Sequence, residues 1–204
     1  MLINSNGVLG SGNVFLFSPE VSAFVSVGDA VPVQLEVSTK TAVNALGGTI
    51  TFDPNILSVD SLTRSASIID LWSEEPVISN TEGSIRWSGG IINADTKTSG
   101  AHGEIFTINF RAMKAGKLNL GLTNGELLAN NGEGTNVLSG NSTLTLYVRE
   151  QGYPSPDIND DGSFSIADIN ALYVKTFYAY DQKYDINNDG KVSWADVKTL
   201  ISLI

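Results

Sequence analysis

The chain has 204 residues, 42% hydrophobic and 17% charged, with 22 acidic against 12 basic side chains and a formal charge of −10. That composition excludes a disordered chain and suits one ordinary domain plus a small second one, while the acidic balance argues against nucleic acid and anionic membranes and favours cations. The absence of cysteine excludes disulfides, thiol catalysis and cysteine metal sites, and no apolar run reaches the ~18 residues that cross a bilayer.

Residues 1–12, rich in Gly, Asn and Ser, read as a flexible leader, with neither the basic nor the apolar region of a targeting signal. From there to residue 150 the apolar residues recur at every second position. Val31, Val33, Leu35 and Val37 alternate with Pro32, Gln34, Glu36 and Ser38, and the pattern returns at Ile50/Phe52, Leu57/Val59, Ile85/Trp87, Phe106/Ile108/Phe110, Leu118/Leu120/Leu122 and Leu144/Leu146/Val148. This period belongs to strands with one buried face. Turn residues at Gly28-Asp29, Asp53-Pro54, Gly89-Gly90 and Asn131-Gly132 divide the runs, so residues 13–150 are expected to form an all-β sandwich of about nine strands.

Residues 151–156, with Pro154 and Pro156, break the alternation and read as a linker. Beyond it, over residues 157–204, the period becomes helical: Ile166, Ile169, Leu172 and Val174 with Phe177, then Trp194, Val197, Leu200, Ile201 and Leu203. Each helix starts just after an acidic loop.

Those loops are an internal repeat. DINDDGSFSIAD at 157–168 realigns with DINNDGKVSWAD at 185–196, and eight of the twelve positions are identical. Ca²⁺ takes six to eight oxygen ligands, and a loop supplies them by presenting alternate residues as it wraps the ion. Asp157, Asn159 and Asp161, and likewise Asp185, Asn187 and Asp189, fill positions 1, 3 and 5. Gly162 and Gly190 allow the sharp turn, Ser163 and Lys191 offer carbonyls at position 7, and Ser165 and Ser193 reach the ion directly or through water. Asp168 and Asp196 close the sphere at position 12, one methylene shorter than the Glu of an EF-hand, so each loop must wrap tightly. Two Ca²⁺ per chain are expected, holding the small segment in its fold.

A loop with no incoming helix, an Asp at position 12, one following helix and a second copy close behind resemble the type I dockerin family. Upstream, GDAVPVQLEV (28–37), ITFDPNILSV (50–59), GSIRW (83–87) and GEIFTINF (103–110) are similar to the cohesin family in order and spacing. The resemblance implies a nine-stranded jelly-roll sandwich, akin to carbohydrate-binding modules, joined to a small α-helical dockerin module. Both are noncatalytic modules that assemble extracellular or cell-surface cellulosome-type complexes for polysaccharide degradation. Partners would be cohesin- or dockerin-bearing proteins, and the chain itself a monomer. Dockerin recognition positions carry over onto Ile166, Ala167, Tyr173 and Val174, and onto Trp194, Ala195, Ile201 and Ser202; these are mostly apolar where the family presents hydroxyl and basic residues. The cohesin partner face implied by the resemblance uses residues 47–52, 77–80, 84–88 and 105–110, and alternation turns Thr49, Thr51, Arg86, Ser88, Thr107 and Asn109 outward.

The short linker reaches at most ~20 Å. The helical segment is therefore expected either to pack on the adjacent end of its own sandwich, through part of the set Tyr153, Ile166, Tyr173, Trp194 and Ile201, or to engage another molecule. Catalysis lacks residues: His102 is the sole histidine, and no nucleophile or phosphate-binding motif occurs. The competing reading is a carbohydrate-binding or cell-surface adhesion module with calcium in a purely structural role, for which Trp72 is the candidate stacking platform and Trp87 is assigned to the core.

Overall fold

The computed structural model describes residues 14–19, 24–92, 102–161 and 164–203; the expected leader, Gly162, Ser163 and the His102 side chain lie outside the described set. Among the described residues are eleven strands: β1 (Val14–Pro19), β2 (Phe24–Ser26), β3 (Ala30–Ser38), β4 (Val43–Thr51), β5 (Leu57–Thr63), β6 (Leu71–Ser79), β7 (Ser84–Gly90), β8 (His102–Ala112), β9 (Gly116–Ala129), β10 (Gly140–Asn141) and β11 (Leu144–Arg149). One sheet runs β10-β1-β3-β8-β5 and the other β2-β11-β9-β4-β7-β6. Nine strands carry the two sheets. The additional β2 and β10 are two or three residues long and pair in parallel with β11 and β1, too short to leave a period in the sequence.

The alternation sets the core. Val31, Val33, Leu35 and Val37 of β3 are all buried and face Ile85, Trp87, Leu120 and Leu146 of the second sheet within one apolar cluster. Burial of this kind contributes about 1.5–3 kcal/mol per large apolar side chain. Trp87 sits at its centre, perpendicular to Phe15 and to Phe106 at 5.7 and 5.5 Å between ring centroids, so β7 interlocks with β1 and β8 across the sandwich. Between Leu35 and Glu36 the β3–β8 register slips by one residue, leaving Ile105 unpaired, and Ile105 and Phe106 are consequently both buried. Gly89 and Gly90, expected to mark a turn, instead lie inside β7. A Cβ on Gly89 would stand 2.5 Å from Ile69 Cγ2, so the glycine serves close packing of the neighbouring chain.

After the linker come α1 (Ile166–Lys175), a 3₁₀ turn (Gln182–Tyr184) and α2 (Trp194–Ile201). Ile158, Leu172, Ile186, Val197 and Leu200 form a second, separate core between the loops and helices. The two apolar helical patterns split here. Leu172, Val197 and Leu200 are buried, while Ile166, Val174, Phe177, Trp194 and Ile201 are exposed; the helices share one narrow seam, and a second row of apolar side chains is left outside it.

The helical segment packs on the end of its own sandwich. Phe24 of β2 stacks on Tyr147 of β11 at 4.9 Å and receives Phe164 edge-on at 5.1 Å. A cavity of about 580 Å³ beside them is lined by Lys117, Arg149, Tyr153, Ile186 and Leu203, among others. Of the side chains expected at this junction, Tyr153 is there; Ile166, Tyr173, Trp194 and Ile201 are exposed. Arg149 fastens the linker, its guanidinium donating to the Pro154 carbonyl. Burial pulls the Arg149 guanidinium below its ordinary range, and the charge of Asp29 opposes that shift.

Candidate functional site

Each acidic loop is built around its first and last carboxylates. Asp157 Oδ1 accepts from the Asp161 N–H at 3.1 Å; in the second loop Asp185 Oδ1 accepts from Asp189 N–H at 3.0 Å and Asp185 Oδ2 from Gly190 N–H at 2.8 Å. The backbone turns through the left-handed region at position 4, with φ of 57° at Asp160 and 59° at Asn188, and again at Gly190 with φ of 85°. Asp and Asn tolerate that conformation better than other side chains, and Gly adopts it without penalty.

The position 12 carboxylates tie the loop ends together. Asp168 Oδ1 accepts from Ile158 N–H at 2.8 Å and Oδ2 from Ser165 N–H at 2.8 Å; Asp196 accepts from Asn187 N–H at 3.2 Å and Ser193 N–H at 2.7 Å. Ser165 and Ser193, expected to reach a cation directly or through water, place their hydroxyl oxygens as helix caps, accepting from Ala167 and Ala195 N–H. With the Asp three residues on, each completes a capping box. The first turn of a helix leaves N–H groups without partners, and a Ser is the side chain that meets them. Ser-x-x-Asp ahead of an apolar run was the signal for this role.

Among the described residues, no group of three or more His, Asp or Glu side chains converges as a metal centre. The position 12 carboxylates face backbone N–H groups, and Asn159 and Asn187 turn their amide N–H toward Asp161 and Asp189. The donor chemistry nevertheless fits a hard divalent cation. Asp185, Asn187, Asp189 and the Lys191 carbonyl in the second loop, and Asp157, Asn159 and Asp161 in the first, are all oxygen donors. Asp168, Asp185 and Asp196 are fully buried, yet among the described residues none of them forms an ion pair. Buried charge of that kind calls for a counter-charge. Asp160 is paired, with Lys183 at 2.6 Å on the surface, and the hydrogen bond to Asp160 raises the Lys183 ammonium above its ordinary range against a smaller effect of burial. The Tyr180 hydroxyl donates to Asp185 Oδ2 at 3.1 Å. Its phenol is pushed up by desolvation first, then by that hydrogen bond and the Asp185 charge.

All eight recognition positions carried onto the helices are exposed: Ile166, Ala167, Tyr173, Val174, Trp194, Ala195, Ile201 and Ser202. None belongs to the core between the helices. Tyr173 meets Trp194 at 6.1 Å and Phe177 at 5.2 Å, both edge-on, which makes one aromatic patch from both helices. Phe177, read from the sequence as part of the helical apolar period, is 71% exposed and belongs to this patch.

The six residues expected on one sandwich face divide between two. Thr49 is opposite Arg86 and Gly47 opposite Ser88 in the β4–β7 pair, so Thr49, Thr51, Arg86 and Ser88 share the outer face of one sheet. Thr107 and Asn109 belong to β8, which pairs with β3 and β5 in the other sheet. Asn109 there donates to Ser61 and Thr107 to Glu104. The strand that does flank β4 is β9, whose Thr123 is opposite Thr49. The face therefore comprises β9-β4-β7-β6, with Glu74 beside Arg86 at 3.8 Å and Ser73 beside Ser88 at 2.8 Å. Alternation tells inside from outside but not which sheet a strand joins.

Trp72 is no open platform. Its ring packs on Trp87 and Phe106 at 6.5 and 6.3 Å, and Arg64 lies over it at 5.1 Å.

No family model matches the chain, and no curated protein sequence matches it. Solved structures do. A non-cellulosomal cohesin from the archaeon Archaeoglobus fulgidus is similar at a TM-score of 0.54 and 16% identity, covering 69% of this chain and 93% of its own. A chain of a type I cohesin–dockerin complex from Clostridium thermocellum reaches 0.55 at 9% identity, covering 68% and 94%. A type II cohesin domain from the cellulosome of Acetivibrio cellulolyticus reaches 0.55 at 12%, covering 66% and 95%. The two-sheet sandwich has the cohesin fold. Among the described residues no helix is long and apolar enough to cross a membrane.

Proposed function

We propose that the chain is a noncatalytic assembly protein of an extracellular, cellulosome-type polysaccharide-degrading system. Its sandwich is the acceptor for dockerin-bearing partners through β9-β4-β7-β6, and residues 157–204 form a dockerin-like module loaded with two Ca²⁺. Several of the similar cohesin structures are described as complexes with dockerins, which supports partners of that class. The observation that carries the second half is the aromatic patch that Tyr173 and Trp194, on helices that each begin at an acidic loop, form with Phe177 just past the first helix. Exposed apolar clusters of this kind mark contact surfaces, and aromatic side chains dominate their energetics.

The test is binding of the immobilised chain to panels of purified cohesins and dockerins, in calcium and in chelator. Dockerin binding weakened by Arg86→Glu assigns the sandwich face. Cohesin binding that needs calcium and is lost in Trp194→Asp assigns the helical face; binding to neither panel contradicts the proposal.

A further inference from the structure

Loops related by a 28-residue repeat need not be equal, and one side chain distinguishes them. Asp185, the first ligand of the second loop, is fully buried, and its Oδ2 accepts two hydrogen bonds, from the Gly190 N–H at 2.8 Å and from the Tyr180 hydroxyl at 3.1 Å. Its Oδ1 accepts from the Asp189 N–H at 3.0 Å. One oxygen is thus held by two donors and the other by one, which fixes the carboxylate's rotation.

Tyr180 leads directly into an anchored 3₁₀ turn. Asp181 caps the 3₁₀ turn by accepting from Lys183 N–H at 2.9 Å, and Tyr184, with the Lys175 and Lys183 ammonium groups 4.9 and 5.8 Å from its ring centroid, packs on the small core. The equivalent place ahead of the first loop carries no hydroxyl. Twenty-eight residues before Tyr180 stands Gly152, which carries no side chain and around which a Cβ would meet nothing within 4 Å.

We infer that Tyr180 is a positioning residue for the cation of the second loop and makes it the tighter of the two sites. The inference rests on the calcium reading proposed above. Groups that hydrogen-bond a metal ligand orient it and commonly matter by 10- to 100-fold in affinity; a half-exposed phenol belongs at the lower end, about tenfold.

Calorimetric titration of the full chain with calcium tests it in two backgrounds. Asp157→Ala leaves the second loop to bind, and there Tyr180→Phe, which keeps the ring and removes the hydroxyl, raises the dissociation constant about tenfold. Asp185→Ala leaves the first loop, and there the same change has less than about a twofold effect. Helical circular dichroism at saturating calcium stays the same with and without Tyr180→Phe. Equal effects in both backgrounds, or none in Asp157→Ala, overturn the inference while leaving calcium binding intact. If either background fails to fold, the parent chain decides: Tyr180→Phe weakens the tighter of its two sites alone, and equal weakening of both overturns the inference. A parent chain that takes up no calcium overturns both readings.

Discussion

Phe164, the eighth residue of the first acidic loop, stands edge-on to Phe24 of the sandwich, with ring planes at 89° and centroids 5.1 Å apart. Phe24 is stacked in turn on Tyr147. A loop read as a cation site is therefore joined by one ring to the last long strand of the sandwich. Stabilising the loop with metal should stabilise the sandwich, which contributes none of the expected ligands. The linkage is reciprocal.

The first prediction concerns that pair. A double-mutant cycle on Phe24→Ala and Phe164→Ala, by denaturant unfolding in calcium, should give a coupling of about 1 kcal/mol, the size of an aromatic pair. Additive effects would mean that the rings do not meet in solution.

Gly83 turns β6 into β7 with φ of +66°, and an added Cβ would stand 2.2 Å from the Phe52 carbonyl oxygen. Gly83→Ala should destabilise the sandwich by about 2 kcal/mol or more, the left-handed conformation and the backbone clash adding together. A midpoint in urea equal to that of the parent would refute this.

These sites differ in how far the sequence announces them. The buried row Val31, Val33, Leu35 and Val37 was legible because a strand has a strict period of two and one face was apolar. The sheet that received Thr107 and Asn109 was not, because pairing between residues as distant as Val59 and Phe110 leaves no local trace. Phe24 was missed for a related reason: a three-residue strand paired in parallel has no period to detect. In the helices, Ile166 and Trp194 look like core by spacing. Each occupies the first position after a Ser cap and is exposed there, outside the seam that buries Leu172 and Val197. The loop turns were the clearest feature, since the Asp, Asn and Gly positions that shape them are written in consecutive residues. The double use of Ser165 and Ser193 as caps became visible only with the hydrogen bonds.

Trp194→Asp should leave stability within about 0.5 kcal/mol of the parent, because the side chain is half exposed and an acid suits the first turn of a helix. Partner binding should be lost. A large fall in helical signal would return Trp194 to the core.

Trp72→Ala should act on stability, by about 2 kcal/mol, since the ring packs against Trp87 and Phe106 beneath Arg64. Glycan binding that disappears in this variant while its unfolding curve stays put would support the carbohydrate reading instead.

Calcium titration of the whole chain, by calorimetry with far-ultraviolet circular dichroism in parallel, bears most directly on the proposed assembly role. Two ions per chain are expected, with one lost in Asp161→Ala and one in Asp189→Ala. At ~100 times the dissociation constant each ion adds roughly 2.7 kcal/mol of stability. The helical signal should fall in chelator and return with calcium. No uptake of calcium, or an unchanged helical signal in chelator, would contradict a metal-held docking module and reduce both loops to ordinary turns.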